Sequence, residues 1–496
     1  MKTFDLDNSL IDFSGNEKNS WTIRQAVEGV QIWGGIGSGK TTGSGRVLAL
    51  KYLSNGFGGL VLTAKIDEKE LWQEYCRLTN RTNDLIIVEP GGEHFFNFLE
   101  YESSFKGAGK SITENIVQVL KTVIESSEEK SGGKTDDPFW SNALDMLLFN
   151  TIDLCNLAYG KVSVQGMYNI VLTAPKKGEP AKEEFKSGSF GHAFTNAQKN
   201  VNKQIDAYIE TLSIEQKKLF KDADAMEDLI IKAIPDAAIL RSIDQFFIEH
   251  YRSLSEKTRS IIDFSFSGFL FRLLKEPVHS LLCNTPSTFT PEDCLKGKII
   301  LLNLPVKLYH KVGRDCQVMF KYIWQRAMEK RNIKQNEQPV FLWADEAQNF
   351  LHAYDAEYQA TARSSRIATV YISQNLPNYH ANMGGFKSEY RVKSFLGTLA
   401  TQIFHANTDI ETNKYASELI GEGYTVDTTN SATVAGNFSS SRTQSLKLEK
   451  MVRPEEFVKL KSGGKLNNLL IEGYMYVQGK PFSGGLNFKK ISFKQN

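Results

Sequence analysis

Residues 30–42 constrain the fold of this chain more than any other segment, because they join a strand, a glycine-rich loop and the start of a helix. The apolar run Val30–Trp33 is typical of a buried strand, and Arg46–Leu53 has the apolar spacing of a helix. Between them, Gly34–Thr41 matches the motif G-x-x-x-x-G-K-[ST] completely. A loop of this kind directs backbone N–H groups and the positive end of a helix toward a phosphate chain. The segment therefore predicts an α/β domain with a nucleotide-phosphate site.

The residue types in this loop predict binding of ATP together with Mg2+. Lys40 is expected to reach the β- and γ-phosphate oxygens, and Thr41 is expected to hold Mg2+. A glycine-rich turn between a strand and a helix also occurs without a ligand, but the Lys-Thr pair in this context favours phosphate binding. The other residues of the predicted nucleotide site are Gly34, Gly35, Ile36, Gly37, Ser38, Gly39 and Thr42.

A second cluster of acidic residues completes the predicted site. Asp345 and Glu346 follow directly after the apolar run Val340–Ala344. Asp345 is expected to help hold Mg2+, and Glu346 to orient and polarise the attacking water. Alternatively, the two acidic residues only open the helix predicted at Ala347–Phe350, where negative charge favours the helix dipole.

Three further residues near the next apolar run are candidates for catalysis. Gln374 follows the strand predicted at 367–373, one strand beyond the acidic pair, which suits a sensor of the γ-phosphate. Arg363 and Arg366 precede that strand, and either is a candidate for an arginine finger supplied to the ATP of a neighbouring subunit. That role requires a ring, and surface arginines are common in any protein. Which arginine acts stays open at this point.

The composition of the 496-residue chain is that of an ordinary globular protein, with 41% hydrophobic and 23% charged residues. Its net charge is only +2, so any affinity for nucleic acid must come from local patches. The five cysteines are widely spaced and form no C-x-x-C pair, which argues against a zinc site or a disulfide framework. The N-terminus lacks the pattern of a signal peptide, and no run of about 18 apolar residues occurs. We therefore predict no membrane span and a cytoplasmic location, with any place at the inner membrane depending on partner proteins.

The strand-like runs fall into two groups with a helical region between them. The first group includes Gly59–Thr63 and Leu85–Val88, whereas long helical spacing dominates from about 126 to 285. We therefore predict an α/β fold with a mainly parallel sheet, divided between residues 1–125 and 286–496, and an inserted all-α domain at 126–285. The second group of runs is Lys298–Leu304, Val340–Ala344, Ala368–Ile372, Gln402–His405 and Leu469–Met475.

The C-terminal region differs in composition from the rest of the chain. Residues 425–445 are rich in Thr, Ser, Asn and Gly, which predicts a flexible loop. From Arg442 to the end there are eleven Lys or Arg against four Glu, a local excess of +7. Such a basic segment is either a solvated surface or a surface near nucleic acid.

The order of these motifs resembles that of the coupling ATPases of conjugation and type IV secretion, the TraG/TraD class within the FtsK/HerA group. The resemblance covers most of the chain, from about Gly29 to Phe493. Phe98 stands where the family usually has proline. Besides the residues named above, the resemblance rests on Leu62–Glu70, Ile87–Pro90, Phe96–Leu99, Phe139–Ala143, Asn407–Thr412, Leu419–Gly421 and Val452–Phe457.

This resemblance implies a RecA-like P-loop ATPase that hydrolyses ATP at subunit interfaces of a homo-hexamer. The implied partners are DNA, single- or double-stranded, a relaxase and components of a type IV secretion system. Family members usually carry an N-terminal membrane anchor, whereas the ATP domain begins near residue 29 here, so we expect a soluble variant. Three alternatives remain: a HerA-like DNA translocase acting with a nuclease, an ATP-dependent docking platform for a secreted protein, and a ring that threads polypeptide.

Overall fold

The structure is a computed structural model, and it describes residues 4–13, 19–104, 112–130, 138–177, 188–213, 223–383, 388–435 and 437–495. The chain divides into two compact units. The first unit comprises Met1–Ile87, Pro291–His310 and Trp324–Asn496, and the second, helical unit comprises Val88–Thr290 and Lys311–Ile323. The predicted insertion at 126–285 lies within the helical unit, and its exact bounds stay a prediction.

The strands are numbered in chain order. They are β1 (Ser9–Asp12), β2 (Ser20–Thr22), β3 (Val30–Trp33), β4 (Gly58–Leu62), β5 (Leu85–Val88), β6 (Ile299–Leu302), β7 (Val340–Ala344), β8 (Ile367–Ser373), β9 (Thr401–His405), β10 (Glu422–Ala435), β11 (Asn437–Lys450), β12 (Leu470–Val477) and β13 (Phe488–Lys494).

A nine-stranded sheet carries the site, in the order β13-β12-β9-β3-β8-β7-β4-β6-β5. The pairs β9–β3, β3–β8, β8–β7, β7–β4 and β4–β6 are parallel, whereas β12 pairs antiparallel with β9 and β13. The prediction of a mainly parallel sheet is therefore confirmed. Because parallel strands end at the same edge, the segments that follow β3, β4, β7 and β8 meet there.

The central strands are mostly apolar and buried along their whole length, as expected where helices cover both faces of a parallel sheet. Every residue of β3, β7 and β8 is buried. On one face the Trp72 ring stacks on Phe341 at 5.6 Å between centroids and meets Trp343 edge-on at 5.4 Å. These aromatic contacts fix the end of β7 from which Asp345 and Glu346 project.

Helices of the first unit connect these strands. The segment Thr41–Gly45 is π-helical and continues into the helix Arg46–Ser54. The helix Val306–Glu329 contributes residues to both units. The remaining helices of this unit are Ile23–Val27, Glu68–Leu78, Asp355–Ala362, Leu376–Met383, Ser388–Gly397, Ile410–Ile420 and Pro454–Val458.

The helical unit is built around aromatic side chains. Phe190 packs edge-on against Phe247 at 4.9 Å, and Phe246 stacks on Tyr251 at 5.5 Å. The described residues between 126 and 285 contain no strand, which confirms the predicted all-α region. The helical unit contains the helices Phe98–Ser104, Ile112–Lys130, Pro138–Tyr159, Val164–Leu172, Ser189–Thr211, Ala223–Ala233, Pro235–Asp244, Gln245–Tyr251 and Glu256–Leu273.

The segment predicted as a flexible loop at 425–445 is paired instead. β10 and β11 form an antiparallel hairpin, with Tyr424 opposite Leu448 and Val426 opposite Leu446. The many Thr and Ser residues of this segment predict a loop. Thr and Val are β-branched, however, and favour extended backbone. Across the described residues, no helix is both long enough and apolar enough to cross a membrane.

Candidate active site

The glycine loop after β3 borders a pocket of about 440 Å3. Gly39 has a φ of +82°, and a Cβ added there would lie 2.5 Å from the Ile471 side chain, so this turn requires glycine. Gly34 and Gly35 shape the loop without lining the pocket. The lining residues are Ile36, Gly37, Ser38, Gly39, Lys40, Thr41, Thr42, Lys65, Lys307, Glu346, Gln374 and Gln495.

Lys40 projects into this pocket from a largely buried position. Its Nζ lies 3.5 Å from the Gly35 carbonyl oxygen, across the loop. Burial lowers the pKa of Lys40, and the nearby charges of Glu346 and Asp345 oppose that shift without cancelling it. An ammonium with so few partners at the centre of the loop is well placed to pair with an anionic ligand.

Thr41 and Asp345, which are 304 residues apart in sequence, meet at the edge of the sheet. The Thr41 hydroxyl donates to Asp345 Oδ2 at 3.0 Å, and Asp345 Oδ1 accepts from the Glu346 backbone N–H at 2.8 Å. Mg2+ prefers such hydroxyl and carboxylate oxygens. The structure therefore brings together the two predicted metal ligands, and their chemistry fits Mg2+.

Glu346 is held by amide side chains on two sides. Its carboxylate accepts from Gln348 at 2.9 Å and from Gln374 at 3.3 Å. Burial raises the pKa of Glu346, but hydrogen bonds from Gln348 and Gln374 and the charges of Lys65 and Lys40 outweigh burial, so the net pKa is lowered. The residue also has a φ of +49°, an uncommon backbone state for a side chain other than glycine. Glu346 is thus an ionised, oriented carboxylate that borders the pocket.

Lys65 is a residue of the site that we did not predict. It lies just beyond β4, and its Nζ is 3.0 Å from Asp345 Oδ2 and 3.5 Å from Glu346 Oε1. Burial lowers the pKa of Lys65. The negative charges of Asp345 and Glu346 and the hydrogen bond to Asp345 raise it by more, so the net pKa is raised. The available sequence signal is the position of Lys65 just after the apolar run 59–63.

The two candidate arginines have different surroundings. The Arg363 side chain is 57% exposed and pairs with Glu28 at 3.4 Å. Arg366 is 15% exposed, and its guanidinium donates to the backbone oxygens of Phe4 and Glu337. Neither arginine lines the pocket of its own chain. Of the two, Arg363 is the one available to another molecule.

One part of the chain matches a described family model. Residues 339–462 match the family model described as the TraM recognition site of TraD and TraG. In this segment the chain is similar to TraD and TraG. The matched segment contains Asp345, Glu346, Arg363 and Gln374, whereas the glycine loop lies outside it. No protein with a curated description matches the chain in sequence.

Solved structures of a coupling protein share the fold of this chain. The bacterial conjugative coupling protein TrwBdeltaN70 aligns with a TM-score of 0.60 at 14% identity, covering 96% of this chain and 87% of that chain. TrwB bound to the GTP analogue GDPNP gives a TM-score of 0.58 at 14% identity, covering 96% and 88%. TrwB bound to ADP and Mg2+ gives 0.56 at 13% identity, covering 96% and 87%. This likeness confirms the predicted RecA-like α/β fold.

A buried histidine links the π-helical segment after the glycine loop to the antiparallel end of the sheet. His405 Nε2 lies 2.7 Å from the Ser44 hydroxyl, and His405 Nδ1 lies 2.8 Å from the Glu472 carbonyl oxygen. Because a carbonyl oxygen only accepts, Nδ1 carries the proton and the Ser44 hydroxyl donates to Nε2. Full burial lowers the pKa of His405 to about 4. The neutral ring therefore holds the π-helical segment that carries Thr41.

This pairing predicts a loss of stability in mild acid. The native ring stays neutral down to a pKa of about 4, whereas the unfolded ring takes up a proton near 6.5. Below pH 6.5 the unfolded state thus binds more protons, and we expect His405 to remove about 2 kcal/mol of stability between pH 7 and pH 5. Urea unfolding at both pH values should show a smaller pH effect in His405→Asn. The exposed His250→Asn is the control, and equal pH effects in all three proteins would contradict this assignment.

Proposed function

We propose that this chain is an ATPase that couples ATP hydrolysis to the delivery of DNA, or of a relaxase–DNA complex, in conjugative transfer. The single observation that carries the proposal is the meeting of the glycine loop with the acidic pair, with Thr41 on Asp345 and Glu346 beside the same pocket. The similarity in fold to TrwB supports the biological context, since TrwB is described as a conjugative coupling protein.

ATP and Mg2+ are the ligands that this pocket fits. TrwB has been solved with the ATP analogue ADPNP and with ADP and Mg2+. In this chain, Lys40 and the loop N–H groups would hold the phosphates, and Thr41 and Asp345 would hold Mg2+. When bound, the metal would neutralise charge on the phosphate oxygens.

Glu346 is the proposed general base for hydrolysis. Its ionised carboxylate would accept a proton from a water molecule as the water oxygen forms a bond to the γ-phosphorus. The bond between the γ-phosphorus and the bridging oxygen breaks, which releases ADP and inorganic phosphate. Lys40 would stabilise the charge that develops on the phosphate oxygens, and Gln374 would report the loss of the γ-phosphate through its contact with Glu346.

Assembly and partners complete the proposal. In a homo-hexamer, Arg363 of one subunit would lie at the pocket of the next; in support, this arginine is exposed and does not line its own pocket. The matched family segment is described as a TraM recognition site, which supports a protein partner of the DNA-processing machinery at residues 339–462. DNA is the proposed cargo, in single- or double-stranded form.

Steady-state ATP hydrolysis tests this function. We expect single- or double-stranded DNA to increase the rate of the wild-type chain, and we expect Lys40→Ala and Glu346→Gln to abolish hydrolysis with and without DNA. The better stimulating DNA form would identify the strand that is transported. A rate that DNA leaves unchanged wherever the protein assembles would contradict a DNA motor and favour an ATP-dependent docking platform.

A further inference from the structure

The Lys65 ammonium lies between the two carboxylates on which the proposed hydrolysis depends. It is close to both Asp345 and Glu346, at 3.0 and 3.5 Å. The Asp345 side chain is only 4% exposed and the Glu346 side chain 10% exposed. Because two nearby buried carboxylates repel each other, a cation between them stabilises this arrangement.

The backbone holds Lys65 in this position independently of its side chain. The buried Glu68 carboxylate accepts from the Ala64 N–H at 2.7 Å and from the Lys65 N–H at 3.3 Å. The parallel register places Leu62 at the end of β4 beside Ala344 at the end of β7. Asp345 follows Ala344 directly, and Lys65 comes three residues after Leu62. The contact between Lys65 and Asp345 therefore follows from the strand register and from the Glu68 carboxylate that holds the backbone at Ala64 and Lys65.

A divalent cation and the Lys65 ammonium would compete for one oxygen atom. Asp345 Oδ1 accepts from the Glu346 N–H, whereas the side chains of Thr41 and Lys65 both contact Oδ2. The Thr41 hydroxyl can donate to Oδ2 while its own lone pairs face a metal, so that bond is compatible with metal binding. The Lys65 ammonium also takes Oδ2, and it repels a second cation at this distance.

We propose that Lys65 is a built-in cation that occupies the carboxylate pair of the nucleotide-free protein and excludes a divalent metal until nucleotide arrives. Lys65 lines the phosphate pocket, so its ammonium has an alternative anionic partner when a nucleotide is bound. The metal then takes Asp345 as part of the metal–nucleotide complex. This inference rests on the proposed function, since it assumes that the pocket receives a metal-bound nucleotide.

Mn2+ binding to the nucleotide-free full-length chain tests the inference without any turnover. Free Mn2+ can be quantified by electron paramagnetic resonance during titration of the protein. We expect Lys65→Met to bind Mn2+ about tenfold or more tightly than the wild type, because a positive charge beside the metal position has been removed. Lys65→Arg keeps the charge and should bind Mn2+ as weakly as the wild type.

Lys307 provides a matched control in the same pocket. It also lines the cavity, but among the described residues no ion pair joins it to Asp345 or Glu346. Lys307→Met removes the same charge type and should raise Mn2+ affinity much less than Lys65→Met. A similar increase in Mn2+ affinity in both variants would show that the effect comes from the overall charge of the pocket, and it would overturn the inference.

Two further outcomes separate this inference from the proposed function. Lys65→Gln keeps a hydrogen-bond donor and is the second variant if Lys65→Met fails to fold. Unfolding of both variants would assign Lys65 a structural role and overturn the inference, as would unchanged Mn2+ affinity in a folded variant. Wild-type protein that never hydrolyses ATP would instead contradict the proposed function, while the Mn2+ titration would still report on Lys65.

Discussion

Replacement of Glu346 by glutamine is expected to lower the rate of ATP hydrolysis by at least about a hundredfold, with ATP binding retained. Glutamine has the shape of glutamate, so it can keep partners at the positions of Gln348 and Gln374. It carries no charge, however, and cannot accept a proton from water at neutral pH. Hydrolysis should be measured as phosphate release, and binding as the affinity for a fluorescent ATP analogue.

The exposed Glu337→Gln is a suitable control for this variant, since the Glu337 side chain is 56% exposed and does not line the pocket. It makes the same chemical change at the surface and should leave the rate unaltered. Residual hydrolysis near the wild-type rate in Glu346→Gln would show that another group accepts the proton. Loss of ATP binding in that variant would instead assign Glu346 to the binding of nucleotide.

The central sheet could be predicted because its strands carry local signals. Each of β3, β7 and β8 is a mostly apolar run, as burial on both faces favours. β13 has no continuous apolar run, because Phe488–Lys494 mixes three lysines with its apolar residues at the edge of the sheet. The β10–β11 hairpin was not predicted, because a segment rich in Ser and Thr is also typical of loops.

The site residues that belong to a contiguous motif could be predicted. Those whose position depends on which strands pair could not. Lys40 and Thr41 belong to one motif, and Asp345 and Glu346 adjoin one strand. The position of Lys65 depends on β4 lying next to β7, and sequence order alone does not specify that neighbour. The two arginines are three residues apart, and only their surroundings in the folded chain separate the exposed Arg363 from Arg366.

Replacement of Arg363 by alanine is expected to reduce ATP hydrolysis by at least about a hundredfold in the assembled protein, since an arginine finger stabilises the charge of the transition state. Nucleotide binding to the single chain should persist, because Arg363 does not line its own pocket. The lost ion pair joins the exposed Arg363 to Glu28, whose side chain is 18% exposed, and we expect its loss to cost about 1 kcal/mol of stability. Arg77→Ala is a matched control, since Arg77 is 67% exposed and also pairs with a glutamate.

Co-expression of Arg363→Ala with Glu346→Gln distinguishes action between subunits from action within one chain. Each variant alone should be inactive. In a mixed ring, a subunit that keeps Glu346 can adjoin a neighbour that keeps Arg363, which completes the site at that interface. Random mixing in equal amounts would restore about a quarter of the interfaces in a head-to-tail ring. If the rate of co-purified mixed assemblies stays at the level of the separate variants, Arg363 acts within its own chain or only in structure, and the proposed interface must be rebuilt around another residue.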